Sequence, residues 1–177
     1  MEGGRDLTIK TALRVARVIH CDLTIANASS WQWWLAVANE DYKSGLIYTD
    51  YKNPGDPENI LESKILWVLG NYSRFIRPGM KRVEMRGGPQ DVNGLMASAW
   101  VDRPNKRVVA VLVNMSDQPR TVRLALAKAG QVAATPLTMT PHITSADQSL
   151  APGPPGDVSK GVQIPSRSVM TLVSTDG

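Results

Sequence analysis

At Arg77-Pro78-Gly79 the spacing of apolar residues changes, and the chain must change architecture with it. Upstream, Leu61, Ile65, Val68, Tyr72 and Phe75 recur at the interval of one helix face. Downstream, Leu95, Ala97, Ala99 and Val101 alternate with their neighbours, and so do Val122, Leu124 and Leu126. That is the period of a half-buried strand. A proline and a glycine just past a helical pattern stop it. The spacing therefore predicts two parts, residues 1–78 and residues 79–177.

The second part reads as short strands separated by turns. Expected strands are Arg82 to Arg86, Gly94 to Asp102, Arg107 to Asn114, Thr121 to Leu126, Val162 to Ile164 and Ser168 to Val173. Val108 to Val113 is continuously apolar, the mark of a strand covered on both faces. Val132 to Thr140 is a weaker candidate, because Pro136 cannot donate to a ladder. Ser149 to Lys160, with three prolines and two glycines, reads as a loop. Strands of this length at this spacing predict an antiparallel β-sandwich.

The first part mixes periods. Asp6 is expected to cap a helix from Leu7 to Cys21, with Ile9, Leu13, Ala16, Ile19 and Leu23 on one face. Arg14, Arg17 and His20 fall on or near the other, and His20 stands in the last turn, where a cation suits the helix dipole. Asn27 to Trp34 reads as a strand. Leu35 to Ala38 and a polar loop to Asp56 follow, with Gly45 and Asn53-Pro54-Gly55 as turns. Asp56-Pro57-Glu58 then starts a helix running to Ile76. Helix, strand, loop, helix is the order of a β/α unit in a parallel sheet or barrel. The fold class is α+β.

Composition narrows the function. Net charge is +4 on scattered Lys and Arg, with no basic run to form a nucleic-acid stripe. No apolar run reaches the length of a membrane span, and the first residues do not form a signal peptide. The lone Cys21 excludes an internal disulfide and reads as a buried structural thiol. No phosphate-cradling glycine loop, metal-spaced Cys/His cluster or Ser-His-Asp set occurs, so no cofactor or metal is expected.

The chemistry that remains is aromatic. Three of the five tryptophans, Trp31, Trp33 and Trp34, sit within four residues. On an extended chain Trp31 and Trp33 share one face, and Gln32 and Trp34 share the other. Flat rings with N–H handles suit sugars, which are apolar on their C–H faces and polar at the rim; core packing is the alternative. Glu40 and Asp41 are adjacent, so they point apart and make a poor acid/base pair. They read as solvated charges or hydroxyl hydrogen-bonders. The candidate carbohydrate-binding residues are Trp31, Trp33, Trp34, Glu40 and Tyr42, with no catalytic residue among them.

Three stretches taken together resemble glycoside hydrolase family 30. They are Ala12-Leu13-Arg14-Val15-Ala16-Arg17-Val18-Ile19-His20-Cys21-Asp22-Leu23, Ser30-Trp31-Gln32-Trp33-Trp34, and Tyr72-Ser73-Arg74-Phe75-Ile76-Arg77-Pro78-Gly79. The closing Ile164 to Val173 resembles that family's last strand. The resemblance implies the last helix–strand–helix elements of a (β/α)8 barrel over residues 1–78, then a β-sandwich side domain over 79–177. It implies Ala28 to Trp34 as the eighth barrel strand, Trp33 as the tryptophan lining the sugar pocket, Trp34 at its rim and Trp31 deeper. It also implies retaining hydrolysis of β-linked polysaccharide by two glutamates on earlier barrel strands, before Met1, and a secreted or periplasmic full-length protein. Glucuronoxylan-cleaving members carry an arginine and tyrosines where this chain reads Leu35-Ala36-Val37-Ala38, which argues against that substrate. The tryptophan wording is closer to the branch containing endo-β-1,6-galactanases.

Two functions follow for comparison. One is the C-terminal portion of such a hydrolase, whose partner is the barrel portion of the same enzyme. The other is a non-catalytic carbohydrate-binding or structural sandwich. An isolated barrel strand has two open edges; alone, the chain is expected to protect its N-terminal part poorly or to self-associate.

Overall fold

A computed structural model describes residues 4–50, 58–128, 131–132 and 137–174. The order begins with α1 (Ile9–Thr24), β1 (Val37–Ala38), β2 (Ile47–Thr49), β3 (Ile60–Glu62) and α2 (Lys64–Ser73). It continues with β4 (Lys81–Val83), β5 (Leu95–Asp102), β6 (Arg107–Asn114), β7 (Arg120–Val122), β8 (Ala127–Lys128) and β9 (Gln131–Val132). It closes with β10 (Thr138–Thr144), β11 (Ala151–Pro152), β12 (Gly156–Asp157), β13 (Val162–Ile164) and β14 (Ser168–Ser174). The class is α+β, as the residue pattern predicts.

The central layer is a seven-stranded sheet in the order β11-β10-β14-β6-β5-β4, with β12 also on β10. All its pairings are antiparallel. Alternation along β6 separates two cores. Val109, Val111 and Val113, with Met96, Trp100 and Val169, face α1 and α2. Ala110 and Leu112, with Leu95, Ala97, Ala99, Met170 and Leu172, face Val122 and Ile164 of the antiparallel pair β7–β13. Helices cover one face of the sheet and a second small sheet covers the other, which is why β6 reads as continuous apolar sequence.

The helices form because one face of each is removed from water. On α1, Ile9, Ala12, Leu13, Val15, Ala16, Ile19 and His20 are buried; on α2, Ile65, Val68, Asn71 and Tyr72. Each fully buried Leu or Ile contributes about 1.5–3 kcal/mol, more than the roughly 1 kcal/mol of a cap. The Tyr72 ring meets Trp100 edge-on, with centroids 6.4 Å apart. Gly79 follows α2 with φ +94°, a conformation that only glycine adopts without strain.

Several expectations need correction. The cap of α1 is Thr8, whose hydroxyl accepts from Lys10 N at 3.3 Å. Asp6 stands two residues before it: its carboxylate accepts from Thr8 N at 2.9 Å and from the Thr11 hydroxyl. The helix continues past Cys21 to Thr24, and Cys21 is half-buried rather than buried. The described part of the stretch expected as Leu35 to Ala38 and a polar loop carries short strands: β1 pairs parallel with β2, and β2 antiparallel with β3 beyond it. Strands of two or three residues are too short to show a period. The second helix begins after Ser63 because β3 occupies the stretch before it. The expected start at Asp56-Pro57, the turn Asn53-Pro54-Gly55, and Pro136 lie outside the described residues.

Pro141 stands inside β10, where a proline is not expected. Its carbonyl accepts from Gly153 N at 2.9 Å. The N and C=O of one strand residue face the same edge, so the missing donor points away from β14. On that edge β12 pairs at Thr138–Met139 and β11 at His142–Ile143, leaving Pro141 between them. The register sets Pro141 opposite Gly153, so the one bond forgone is the return bond from residue 141 to the Gly153 carbonyl, on the edge away from the long β14 ladder.

Candidate functional site

The tryptophan stretch belongs to no ladder and bends at Ser29 and Trp34; no described residue pairs with Ala28 to Trp34 as a strand. This corrects the strand read there. Its alternation nonetheless holds. Trp31 and Trp33 are stacked on one side, with centroids 5.8 Å apart and planes 18° from parallel. Gln32 and Trp34 are exposed on the other, and Trp34 is 77% exposed.

Each half-buried indole has its N–H satisfied. Trp31 Nε1 donates to the Asp22 carboxylate at 2.9 Å, and Trp33 Nε1 donates to the Ser44 carbonyl at 2.7 Å. Both also rest on the core beneath α1 and α2. Core packing and an open aromatic surface therefore coexist: the inner edges are tied down, and Trp34 stands in solvent. The Trp34–Leu35 peptide is cis. Ser44 O also accepts from Leu35 N at 2.7 Å, so the loop after the tryptophans folds back onto them.

Glu40 and Tyr42 lie on that returning loop. Both side chains are exposed, Tyr42 at 65%. The loop is held from beneath by residues that sequence reasoning passed over. The Arg5 guanidinium bonds Asp50 at 2.9 Å and the Asn39 carbonyl at 3.4 Å, and lies 4.7 Å from the Tyr48 ring centroid. Arg5 N donates to Asp41 at 2.7 Å. Tyr48 is fully buried; its hydroxyl donates to the Tyr42 carbonyl at 2.6 Å and accepts from Gly45 N at 2.9 Å. A Cβ on Gly45 would stand 2.8 Å from the Tyr48 ring, so this position requires glycine. Gly45 carried a signal as turn punctuation. Arg5 and Tyr48 carried none, since nothing in their spacing marks a contact over more than forty residues.

Other polar groups are structural. His20 is buried, with Nε2 3.2 Å from the Gln90 amide oxygen. Burial pulls its pKa below the ordinary value and the Gln90 bond raises it only in part, and the helix runs on to Thr24, so the side chain is not the last-turn cation that the sequence suggested. Burial pushes the Asp6 carboxyl up, but hydrogen bonds from Thr11 and Thr8 outweigh it, and the group lies below its usual range. A cavity of about 80 Å³ lies in the sandwich beside Met139, Pro141, Asp157 and Leu172; no tryptophan lines it. Among the described residues no cluster of three or more His, Cys, Asp or Glu could hold a metal. No described helix is long and apolar enough to cross a membrane.

Residues 1–48 match the family model described as O-Glycosyl hydrolase family 30. A solved structure of a conserved exported protein from Bacteroides fragilis is 33% identical, over 93% of this chain and 33% of its own, with a TM-score of 0.77. The GH30 endoxylanase of Clostridium papyrosolvens C71 is 22% identical over 96% of this chain and 39% of its own, at TM-score 0.72. The catalytic domain of GH30 xylanase C from Talaromyces cellulolyticus is 22% identical over 93% of this chain and 35% of its own, at TM-score 0.71. The last two likenesses are of fold. The chain spans under two-fifths of the length of each of these three structures. The first 48 residues are thus similar to glycoside hydrolase family 30, and nearly all of the chain shares the α+β fold of a part of those GH30 structures.

Proposed function

We propose that this chain is the C-terminal portion of a retaining glycoside hydrolase acting on β-linked polysaccharide of the galactan or xylan type. In this reading residues 1–78 are the last barrel elements and 79–177 the side domain. Trp33 and Trp34, with Trp31 behind and Glu40 and Tyr42 on the returning loop, bind sugar; both catalytic glutamates belong to barrel strands outside this stretch. The observation that carries the reading is the stacked Trp31–Trp33 pair, anchored through both indole N–H groups beside the exposed Trp34. An aromatic platform fixed at its inner edge presents a face for pyranose C–H groups at little entropic cost. Xylanase neighbours support a xylan-type substrate, and the exported Bacteroides fragilis protein supports a secreted or periplasmic location. A non-catalytic carbohydrate-binding module is the second reading, favoured by the covering of the central sheet on both faces within this one chain.

The test is a titration of the 177-residue chain with xylohexaose and with β-1,6-galacto-oligosaccharide, followed by tryptophan emission. Binding should shift the emission, and Trp33→Ala should weaken it about tenfold, the equivalent of about 1.4 kcal/mol of lost stacking. The chain alone should not hydrolyse β-xylan, β-1,6-galactan or aryl β-glycosides. Robust cleavage would overturn the placement of the catalytic pair, and unaltered binding by a folded Trp33→Ala variant would overturn the role of the tryptophans.

A further inference from the structure

We infer that Arg5 is a positioning residue for this aromatic site: it clamps the loop of residues 39–45 against the tryptophans through Asp41, Asn39, Asp50 and the Tyr48 ring. The inference rests on the proposed sugar site for its purpose, but its geometry stands by itself.

The loop 39–45 has little apolar material of its own to hold it. Its exposed side chains include Glu40 and Tyr42. What fixes it is a set of backbone anchors. The Asn39 carbonyl takes a guanidinium N–H, the Tyr42 carbonyl takes the Tyr48 hydroxyl, and the Ser44 carbonyl takes Leu35 N and Trp33 Nε1. Gly45 N closes the set on the Tyr48 oxygen. Arg5 touches the start of the segment directly and lies over Tyr48, whose hydroxyl holds its middle and end. Its own N–H holds Asp41, and its planar head spans Asn39 and Asp50 while lying over the ring whose hydroxyl holds Tyr42 and Gly45. The head is only 20% exposed, so these charge-assisted bonds are poorly screened. Lysine carries the charge but cannot span two acceptors from one rigid plane. The anchors continue to the site, because the Ser44 carbonyl at the end of the clamped segment orients the Trp33 ring.

Hydrogen exchange on the 177-residue chain tests the clamp without any sugar. Arg5→Ala should speed exchange of the Leu35, Gly45 and Leu46 amides about tenfold, while amides of Val109 to Val113 keep their rates. Tryptophan emission should shift to the red as Trp33 loses its fixed acceptor. Arg5→Lys should restore only part of the protection. Tyr48→Phe, which keeps the ring and deletes the hydroxyl, should speed Gly45 exchange alone or with its neighbours, and it serves if Arg5→Ala does not fold. Unchanged exchange at Leu35 and Gly45 in folded Arg5→Ala, or in both Arg5→Lys and Tyr48→Phe, would overturn the inference. A wild-type chain that ignores the oligosaccharides would count against the proposed function instead, and the exchange rates would still decide the clamp.

Discussion

At the scale of single residues, the position that most departs from its surroundings is His20. The Gln90 Nε2 donates to Ala97 O at 3.0 Å, so the Gln90 Oε1 is an acceptor and His20 Nε2 must be the donor. That leaves Nδ1 bare, buried and without a partner among the described residues. Protonation would place an N–H there with nothing to accept it, a costly state in a dry environment. Burial depresses the folded pKa below the ordinary 6.5, more than the Gln90 bond raises it. Below pH 6.5 the unfolded chain therefore binds a proton that the folded chain resists. The contribution to stability is complete above that pH and is lost as pH falls towards the folded-state value. His142 has the same sign: burial lowers its pKa first, and Arg74 lowers it further. The melting temperature should drop as the buffer is taken from about pH 7.5 to about pH 5.5. His20→Gln should remove much of that dependence, and adding His142→Gln most of the rest. A melting temperature with the same pH slope in the double variant would contradict this account of both imidazoles.

At the scale of elements, helix α2 is joined to the sheet by a polar clasp as well as by its apolar face. Asn71 is fully buried; its Nδ2 donates to the His142 carbonyl and to the Thr171 hydroxyl, each at 3.0 Å. The Thr171 hydroxyl in turn donates to the Asn71 carbonyl at 2.6 Å. Asn71→Ala strips partners from buried groups on both β10 and β14, and should cost about 2–3 kcal/mol in urea unfolding. A cost near zero would mean that water replaces the amide. The apolar side of α2 was readable in the sequence, since Ile65, Val68, Tyr72 and Phe75 keep the helical interval and all four are buried. So were β5, β6, β13 and β14, whose alternation is long or whose turns are distinct. The clasp was not readable, because a mid-helix asparagine usually faces water and its partners lie up to 100 residues away. Nor were β1 to β3, which are too short for any period, nor β10, which Pro141 disguises. The aromatic stretch was readable in its alternation and not in its pairing, because a strand is defined by neighbours and these residues have none among those described. Of the site, the tryptophans were visible from composition, whereas the Arg5–Tyr48 support depends on contacts that only the folded chain creates.

At the scale of the whole molecule, the change of period at Pro78-Gly79 coincides with no break in the core. Residues of α1 and α2 belong to the same buried cluster as Met96, Trp100, Val109, Val111, Val113 and Val169 of the sheet. Polar ties cross at several further points: Arg82 to Asn27 at 2.7 Å, Arg17 to Asn93 at 3.3 Å, and Lys64 to the Gln148 carbonyl at 2.9 Å. Stripping the helices from the sheet would expose both sides of that cluster, and unfolding of one part should therefore pull down the other. The tryptophan stretch is different, for its backbone lacks ladder partners and its outward face is open. The N-terminal part should thus split in its protection. Amides of Leu13 to Ile19 and of Val68 to Tyr72 should exchange with the same free energy as those of β6 and β14. Amides of Ser29 to Trp33 should exchange orders of magnitude faster, by local opening that leaves the helices intact. Urea transitions followed by far-ultraviolet circular dichroism and by Trp100 in a variant lacking the other indoles should coincide. Helices that melt at lower urea than the sheet would show that the sandwich holds together without them, and that the shared core contributes little to either part.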